Sequence, residues 1–469
     1  MNFLGRSTQI HRLCRVLTAR EPSLTLVSGP RGVGKSALVL RCLPPGRHVL
    51  LRVPPLPPGG QRAALADAVR RFAAGAQIEP PGEEDAGSWE GLFRWLGARA
   101  APGGEPLILV LDDAARLTES RSRALTPLAG ALGRARTEAG PLHVVLTAVH
   151  PEAAFTRVAD EGRFHHLKLA PLTFPEVLPR LPGRTPADRV IAYGVFGGIP
   201  RNLRTLDPDL GLGANLRRWM LRPEAPGAEL GVAVLRGDVQ AEARYVAVLA
   251  ALAPGEGGWK AIHAGVPGMA YGGQLAPYVK RLEELGLVEA RRSLDARPAS
   301  RSRRYRITDP ALAFWYRFIL PHRTELLRGR GRDILSHSIR PGLAAHTATV
   351  FPEVCRHFMR RGAEARLGAA ARQAGSLWGS DYDIPVAGVL RTGAAYYGQA
   401  LWREEPADIG VLDALDEQVR NTRYGFGKER RMRLVFSRAG YTQELARAAA
   451  RRDDVTLIGV EEMDACDSA

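Results

Sequence analysis

Cysteine, lysine and aromatic residues are what this 469-residue chain has least of: four cysteines, five lysines and 7% Phe, Trp and Tyr. The cysteines (Cys14, Cys42, Cys355 and Cys466) lie far apart in sequence. None of their spacings is that of a zinc site or a dithiol redox pair, which argues against a disulfide framework or a zinc finger. Few aromatics argue against a broad aromatic binding surface. No apolar run reaches the ~20 residues of a membrane helix. Residues 1–15 lack the basic, apolar and cleavage regions of a signal peptide. These absences lead to the expectation of a reduced, soluble, cytoplasmic protein with no membrane partner. Because lysine is scarce, nearly all of the 65 basic residues are arginine, set against 49 acidic ones for a net charge of +16. Arginine rising together with Ala, Gly and Pro fits a GC-rich coding bias. The place where charge clusters is therefore more informative than its total.

What is present is ordinary globular material, 45% hydrophobic and 24% charged. The length suits two to four domains. In the first third, apolar runs at 24–28, 48–53, 107–111, 143–147 and 165–169 read as strands. They alternate with helical patterns at 35–43, 61–74, 88–100 and 122–136, while 54–60 and 79–87 read as loops. Continuous apolar strands alternating with helices predict a parallel sheet covered on both faces. The predicted fold is α/β: a parallel-sheet P-loop core (1–170) with a helical lid (171–237), a helix–helix–helix–hairpin domain (238–325) and a final mixed α/β domain (326–469). Arg328–Arg332 reads as a linker or exposed turn.

The most specific motif is Gly29-Pro30-Arg31-Gly32-Val33-Gly34-Lys35-Ser36, directly after a strand and opening a helix. This is the G-x-x-x-x-G-K-[ST] phosphate loop in its expected context. Glycines allow a tight loop whose N–H groups surround phosphate oxygens, and the helix N-terminus adds its positive dipole end. The residues expected at the nucleotide are Gly29, Pro30, Arg31, Gly32, Val33, Gly34, Lys35, Ser36 and Ala37. Lys35 would reach the β- and γ-phosphates of ATP, and Ser36 would ligate Mg²⁺. Asp112-Asp113 ends the strand at 107–111, where acidic residues emerge beside a bound ligand. Asp112 would hold Mg²⁺ and Asp113 would polarise water. The other reading is that the pair caps the next helix. Aspartate is one methylene shorter than the glutamate common in fast ATPases, so slow hydrolysis is expected.

The order of Gly5-Arg6, the phosphate loop, Asp112, Gly162-Arg163, Pro171-Leu172 and Gly197-Gly198-Ile199-Pro200 resembles the STAND-class, AAA-related ATPases of archaea and bacteria. That resemblance implies that Gly5 and Arg6 lie near the nucleotide base and that Gly198 and Pro200 approach it from the lid. It also implies that Thr147 is a polar sensor and that Arg163 neutralises γ-phosphate charge. Arg163 can equally be a solvated arginine in an arginine-rich chain. Ser7-Thr8-Gln9 departs from the acidic residues usual there.

Residues 241–253, 260–264 and 274–285 read as three helices before a hairpin, a pattern that resembles a winged helix-turn-helix. Between positions 291 and 306 stand seven arginines and one aspartate, a net +6. Gln274, Lys280 and Arg281 on the presumptive recognition helix, with Arg301, Arg303 and Arg304 on the wing, suit DNA contact. Packing on a protein neighbour is the alternative. The last region resembles a restriction-endonuclease-like domain, with Asp383 at its first acidic position. Where that family has Glu-x-Lys, this chain has Gln399-Ala400-Leu401 and then Trp402. Gln is neutral, and Leu can neither donate a proton nor carry charge, so the domain is expected to be inactive.

The leading functional expectation is an ATP- and Mg²⁺-dependent switch coupled to DNA binding, to an unidentified protein partner or to nucleotide-dependent self-assembly. The alternatives are an ATP-regulated nuclease and a nucleotide-loaded regulator without turnover.

Overall fold

The computed structural model describes residues 4–100, 105–121, 123–137, 140–151, 155, 163–181, 185–269, 272–297, 300 and 302–465, with the backbone alone at 136, 137, 163, 272, 464 and 465. The chain forms two compact units, one on residues 3–170 with 284–286, the other on 171–283 and 287–469.

The first unit is built on five parallel strands, β1 (Ser23–Ser28), β2 (His48–Arg52), β3 (Leu107–Asp112), β4 (Leu142–Ala148) and β5 (Arg163–Lys168). Their order in the sheet is β2-β3-β4-β1-β5. All five strands expected from the sequence are found. β1, β3 and β4 are buried along their whole length, as uninterrupted apolar runs in the middle of a covered parallel sheet must be. β2, at the edge, alternates in burial. Helices Pro58–Ala76, Trp89–Arg99 and Leu125–Thr137 contribute Leu65, Val69, Leu92, Leu96, Leu128 and Leu132 to the same core. Two expected loops are partly helical. Pro58 opens a helix at its first position, where a missing N–H costs nothing, and Glu83–Ala86 makes one short turn. Cys14 and Cys42, distant in sequence, are neighbours in space. Burial, and the neighbouring Cys14 thiol that its own S–H meets, push the Cys42 thiol up to about 12.

In the second unit, helices Pro186–Phe196, Leu212–Trp219, Glu242–Leu252, Trp259–Ala264 and Ala276–Glu284 lead to a small antiparallel sheet. Its strands are β6 (Gly257–Gly258), β7 (Val288–Arg291) and β8 (Arg304–Ile307), in the order β6-β8-β7. After an exposed turn at 327–330, Gly331 is buried: a Cβ there would stand 2.0 Å from the Leu221 carbonyl oxygen. The long helix Arg340–Arg361 then leads to a second five-stranded sheet. This comprises β9 (Ala371–Trp378), β10 (Asp383–Leu390), β11 (Ala395–Leu401), β12 (Arg431–Ser437) and β13 (Val455–Gly459), ordered β13-β12-β11-β10-β9. β9, β10 and β11 are antiparallel, while β11, β12 and β13 run parallel. The expected hairpin is β10–β11, and β9 extends it.

Candidate nucleotide site

The phosphate loop joins β1 to the helix Lys35–Cys42, whose preceding residue, Gly34, has φ +97. Gly32 (φ +82) and Gly34 take backbone values that an L side chain resists. Gly29 is required for a second reason, since a Cβ there would lie 2.3 Å from the Leu169 carbonyl oxygen. The Lys35 ammonium, buried, donates to the carbonyls of Gly29 (2.8 Å) and Pro30 (3.2 Å), so it lies folded over its own loop. Ala37 lies exposed in the first helical turn, beyond Ser36.

Behind this loop three oxygens converge. The Asp112 carboxylate, at the end of β3, accepts the Ser36 hydroxyl at 2.7 Å and the Thr147 hydroxyl at 2.6 Å on the same oxygen, Oδ1. Thr147 in turn accepts the Asp113 N–H at 3.0 Å. The sheet order explains the meeting: β4 lies between β1 and β3 and carries Thr147 to the same edge as Asp112. One carboxylate with two hydroxyls is an oxygen-only donor set, which fits Mg²⁺, an ion that prefers few protein ligands with phosphate and water completing its shell. Among the described residues, no cluster of three or more His, Cys, Asp or Glu offers an alternative metal site.

Asp113 is held differently. It adopts a left-handed backbone (φ +58), which aspartate tolerates better than most residues. Its carboxylate lies 3.5 Å from Arg52 Nε and 3.7 Å from an Arg116 Nη. Arg52 arrives because its β2 position pairs with Asp112 in register. Sequence reading missed both arginines: nothing local marks Arg52 as a partner, whereas the i,i+3 spacing of Asp113 and Arg116 was a local signal. Arg6, buried and also left-handed, donates to the carbonyls of Val33 (3.2 Å) and Ala170 (2.6 Å), tying the loop to the end of the unit. Gly5 precedes it with φ +58. Arg163 opens β5 with only its backbone described, and Gly162 and Arg301 lie outside the described residues.

Gly198 and Pro200 belong to the second unit. The Gly198 N–H donates to the buried Asp309 carboxylate at 2.8 Å, and Gly197 has no room for a Cβ, which would meet Asp309 Oδ1 at 2.0 Å. Burial pushes Asp309 up to about 7, against the pull of the Gly198 and Ala311 N–H groups.

In the arginine-rich stretch Arg291, Arg304 and Arg306 pair with carboxylates, while Arg292 and Arg297 are exposed. Arg304 donates to both oxygens of Asp383 at 3.0 Å and lies 4.7 Å from the centre of the Trp378 ring. Arg306 pairs with Glu289 (2.9 Å) and Glu353 (3.4 Å), and Arg291 pairs with Glu256, Glu289 and Glu353. Glu353 is buried and also meets Arg356, Arg360 and His357. Burial alone would raise its pKa, yet Arg306, Arg356 and Arg291 hold it well below the usual carboxylate range. Arg304, Arg306, Arg356, Asp383 and Gln399 border one cavity of about 520 Å³. On the helix Ala276–Glu284, Lys280 is exposed, and Arg281 donates to the Asp238 carbonyl at 3.0 Å. Gln274 is half-buried just before it, and Arg303 lies beside Tyr305.

Residues 2–146 match the family described as AAA ATPase domain, and residues 315–410 match a family described as archaea bacterial proteins of unknown function. No curated protein matches the chain. Similar solved structures include a Walker-type ATPase of Pyrococcus abyssi, 20% identical, covering 67% of this chain and 96% of its own, with a TM-score of 0.47. Another is the Aeropyrum pernix ORC2 protein, solved as ADPNP–ADP complexes, 14% identical over 71% of this chain and 94% of its own, at 0.41. The Aeropyrum pernix ORC1 protein in complex with DNA is 19% identical over 67% of this chain and 91% of its own, at 0.32.

Proposed function

We propose that this protein is an ATP-binding, slowly hydrolysing switch whose nucleotide state governs contact with DNA or with a protein partner. The observation that carries the reading is the convergence of Ser36 and Thr147 on Asp112 directly behind the phosphate loop. Ser36 and Asp112 would hold Mg²⁺, which when bound neutralises phosphate charge. Lys35 would leave the Gly29 and Pro30 carbonyls for the β- and γ-phosphates. Thr147 would keep Asp112 oriented and report on the γ-phosphate through the Asp113 N–H. Asp113 would polarise the attacking water, and Arg163 would neutralise the developing charge. Arg6 and Gly5 would border the base.

In this reading residues 238–325 form a winged helix with Lys280 and Arg303 on its DNA face, and residues 326–469 keep an endonuclease-like fold without the chemistry. Arg304 pairs with Asp383, while Gln399 and Leu401 supply neither the carboxylate nor the ammonium of the Glu-x-Lys pattern. Self-association in the ATP state would be one output.

A second reading, a nucleotide-loaded regulator without turnover, gains support from the hold of Arg52 and Arg116 on Asp113. Calorimetric ATP titration alongside steady-state hydrolysis separates the two. The switch predicts measurable Mg²⁺-dependent turnover, lost in Lys35→Ala and reduced about 10²-fold in Asp113→Asn, typical of a removed general base. Tight ATP binding without turnover in the unaltered protein would select the second reading. Unchanged affinity and rate in Lys35→Ala would overturn both.

A further inference from the structure

Three of the wing's arginines, Arg291, Arg304 and Arg306, are paired with carboxylates, and a second cationic surface of this unit lies elsewhere. The loop between the helix Ile409–Asn421 and β12 carries Arg423, Lys428 and Arg430, all exposed. At its tip stands Phe426, 84% exposed, an unusual setting for so large an apolar ring. Gly425 (φ +68) and Gly427 (φ +79) flank it.

The loop is braced. Tyr397 donates its hydroxyl to the Tyr424 carbonyl, and the Phe426 and Lys428 N–H groups donate to the Arg423 and Gly425 carbonyls at 3.1 Å. A Cβ on Gly425 would lie 2.4 Å from the Tyr397 hydroxyl, so the loop sits tight on the sheet. The tip is thus held outward by built contacts. Beside it, the β10–β11 turn and residues 427–432 border a groove of about 430 Å³ lined by Leu390, Thr392, Gly393, Lys428, Arg430 and Met432. Across residues 390–394 and 422–432 there are five cations (Arg391, Arg423, Lys428, Arg430 and Arg431) and one carboxylate, Glu429.

We infer that this loop and the groove beside it bind single-stranded nucleic acid, with Phe426 at the tip as a stacking platform for one base, Lys428 and Arg430 lining the groove, and the exposed Arg391 and Arg423 outside it along the phosphates. Two features select that occupant. The surplus of cations matches a polyanion, and an exposed ring between basic residues is how proteins take single strands without reading sequence. A folded duplex would keep its bases from the ring. An acidic protein surface would meet the charges but gain little from a protruding aromatic tip with one shallow groove. The site is separate from the proposed winged-helix contact.

The test uses the full chain and fluorescein-labelled dT and rU 12-mers, with a labelled duplex in parallel, read by anisotropy at two salt concentrations. Phe426→Ala is expected to weaken single-strand binding about fivefold or more, while leaving duplex affinity and thermal stability unchanged. Arg423→Ala with Lys428→Ala should flatten the single-strand salt slope by about 1.4. A difference between the dT and rU arms would assign the natural strand as DNA or RNA. Undetectable single-strand binding at low salt, or equal affinity in Phe426→Ala, overturns the proposal and leaves the loop to a protein partner. Unchanged duplex binding in Lys280→Ala with Arg303→Ala would count against the winged-helix reading and not against this one.

Discussion

Asp112 in the first unit and Glu353 in the second are both buried carboxylates, and they are satisfied in opposite ways. Asp112 is met by two neutral hydroxyls at 2.6–2.7 Å, which leaves its charge to be answered by something that arrives. Glu353 is met by Arg291, Arg306, Arg356, Arg360 and His357, which leave no room for an arriving cation. Asp383 follows Glu353, with Arg304 donating to both of its oxygens. A carboxylate ringed by hydroxyls is a site in waiting, whereas one ringed by guanidiniums is part of the scaffold. The location of the counter-charge therefore separates function from architecture better than burial does.

The largest effect that sharpens this contrast is expected from Glu353→Gln. Removing the anion leaves several buried guanidiniums facing one another, which should cost about 3–5 kcal/mol in urea unfolding. A loss below about 1 kcal/mol would place Glu353 among the responsive sites after all. Asp309 lies between the two classes, a carboxyl bound by N–H groups with no ion pair among the described residues. Its folded pKa, about 7, lies above the ordinary value of 3.8. The folded state therefore holds the proton longer than the unfolded one. The resulting stability is complete below about pH 4 and lost as pH rises to about 7, by a few kcal/mol at most. Asp309→Asn should remove that slope from melting curves taken between pH 5 and 8, and an unaltered slope would contradict the assignment.

Asp112→Asn is expected to be milder. The amide oxygen can still accept both hydroxyls, so the apoprotein should lose only about 1 kcal/mol. The rise in melting temperature on adding Mg²⁺·ATP should vanish with it. A preserved rise would remove Asp112 from the metal site. Arg304→Ala should have the smallest effect, about 0–1 kcal/mol, because Asp383 is 61% exposed and the pair is well solvated. Cleavage of plasmid by that variant in Mg²⁺ would show that Arg304 masks a working centre.

The phosphate loop was legible because its chemistry is written in the backbone: Gly29, Gly32 and Gly34 are needed wherever a chain takes that path, and β1 and the helix bracket them. Asp112 and Thr147 were legible as strand ends. Their meeting on one oxygen was not, because it depends on β4 lying between β1 and β3. Arg52 escaped notice for the same reason, since register alone brings it beside Asp112; Arg116, three residues from Asp113, was legible from its spacing. The arginines at 291–306 misled in the other direction. Counted along the chain they make a basic wing, but Arg291, Arg304 and Arg306 are taken up by Glu256, Glu289, Glu353 and Asp383, which lie as far as 79 residues away. A local charge count cannot show which charges are internal. Asp383 and Gln399 do come together on β10 and β11, with a long contact of 3.5 Å from the Gln399 amide to the Asp383 carbonyl.

The most direct test of the switch is an anisotropy titration of the full chain with labelled duplex DNA, without nucleotide, with ADP and with a non-hydrolysable ATP analogue, at two salt concentrations. The account predicts salt-sensitive binding whose affinity differs between the ADP and ATP-analogue states. Identical affinity in all three states, or no binding in any, would contradict it.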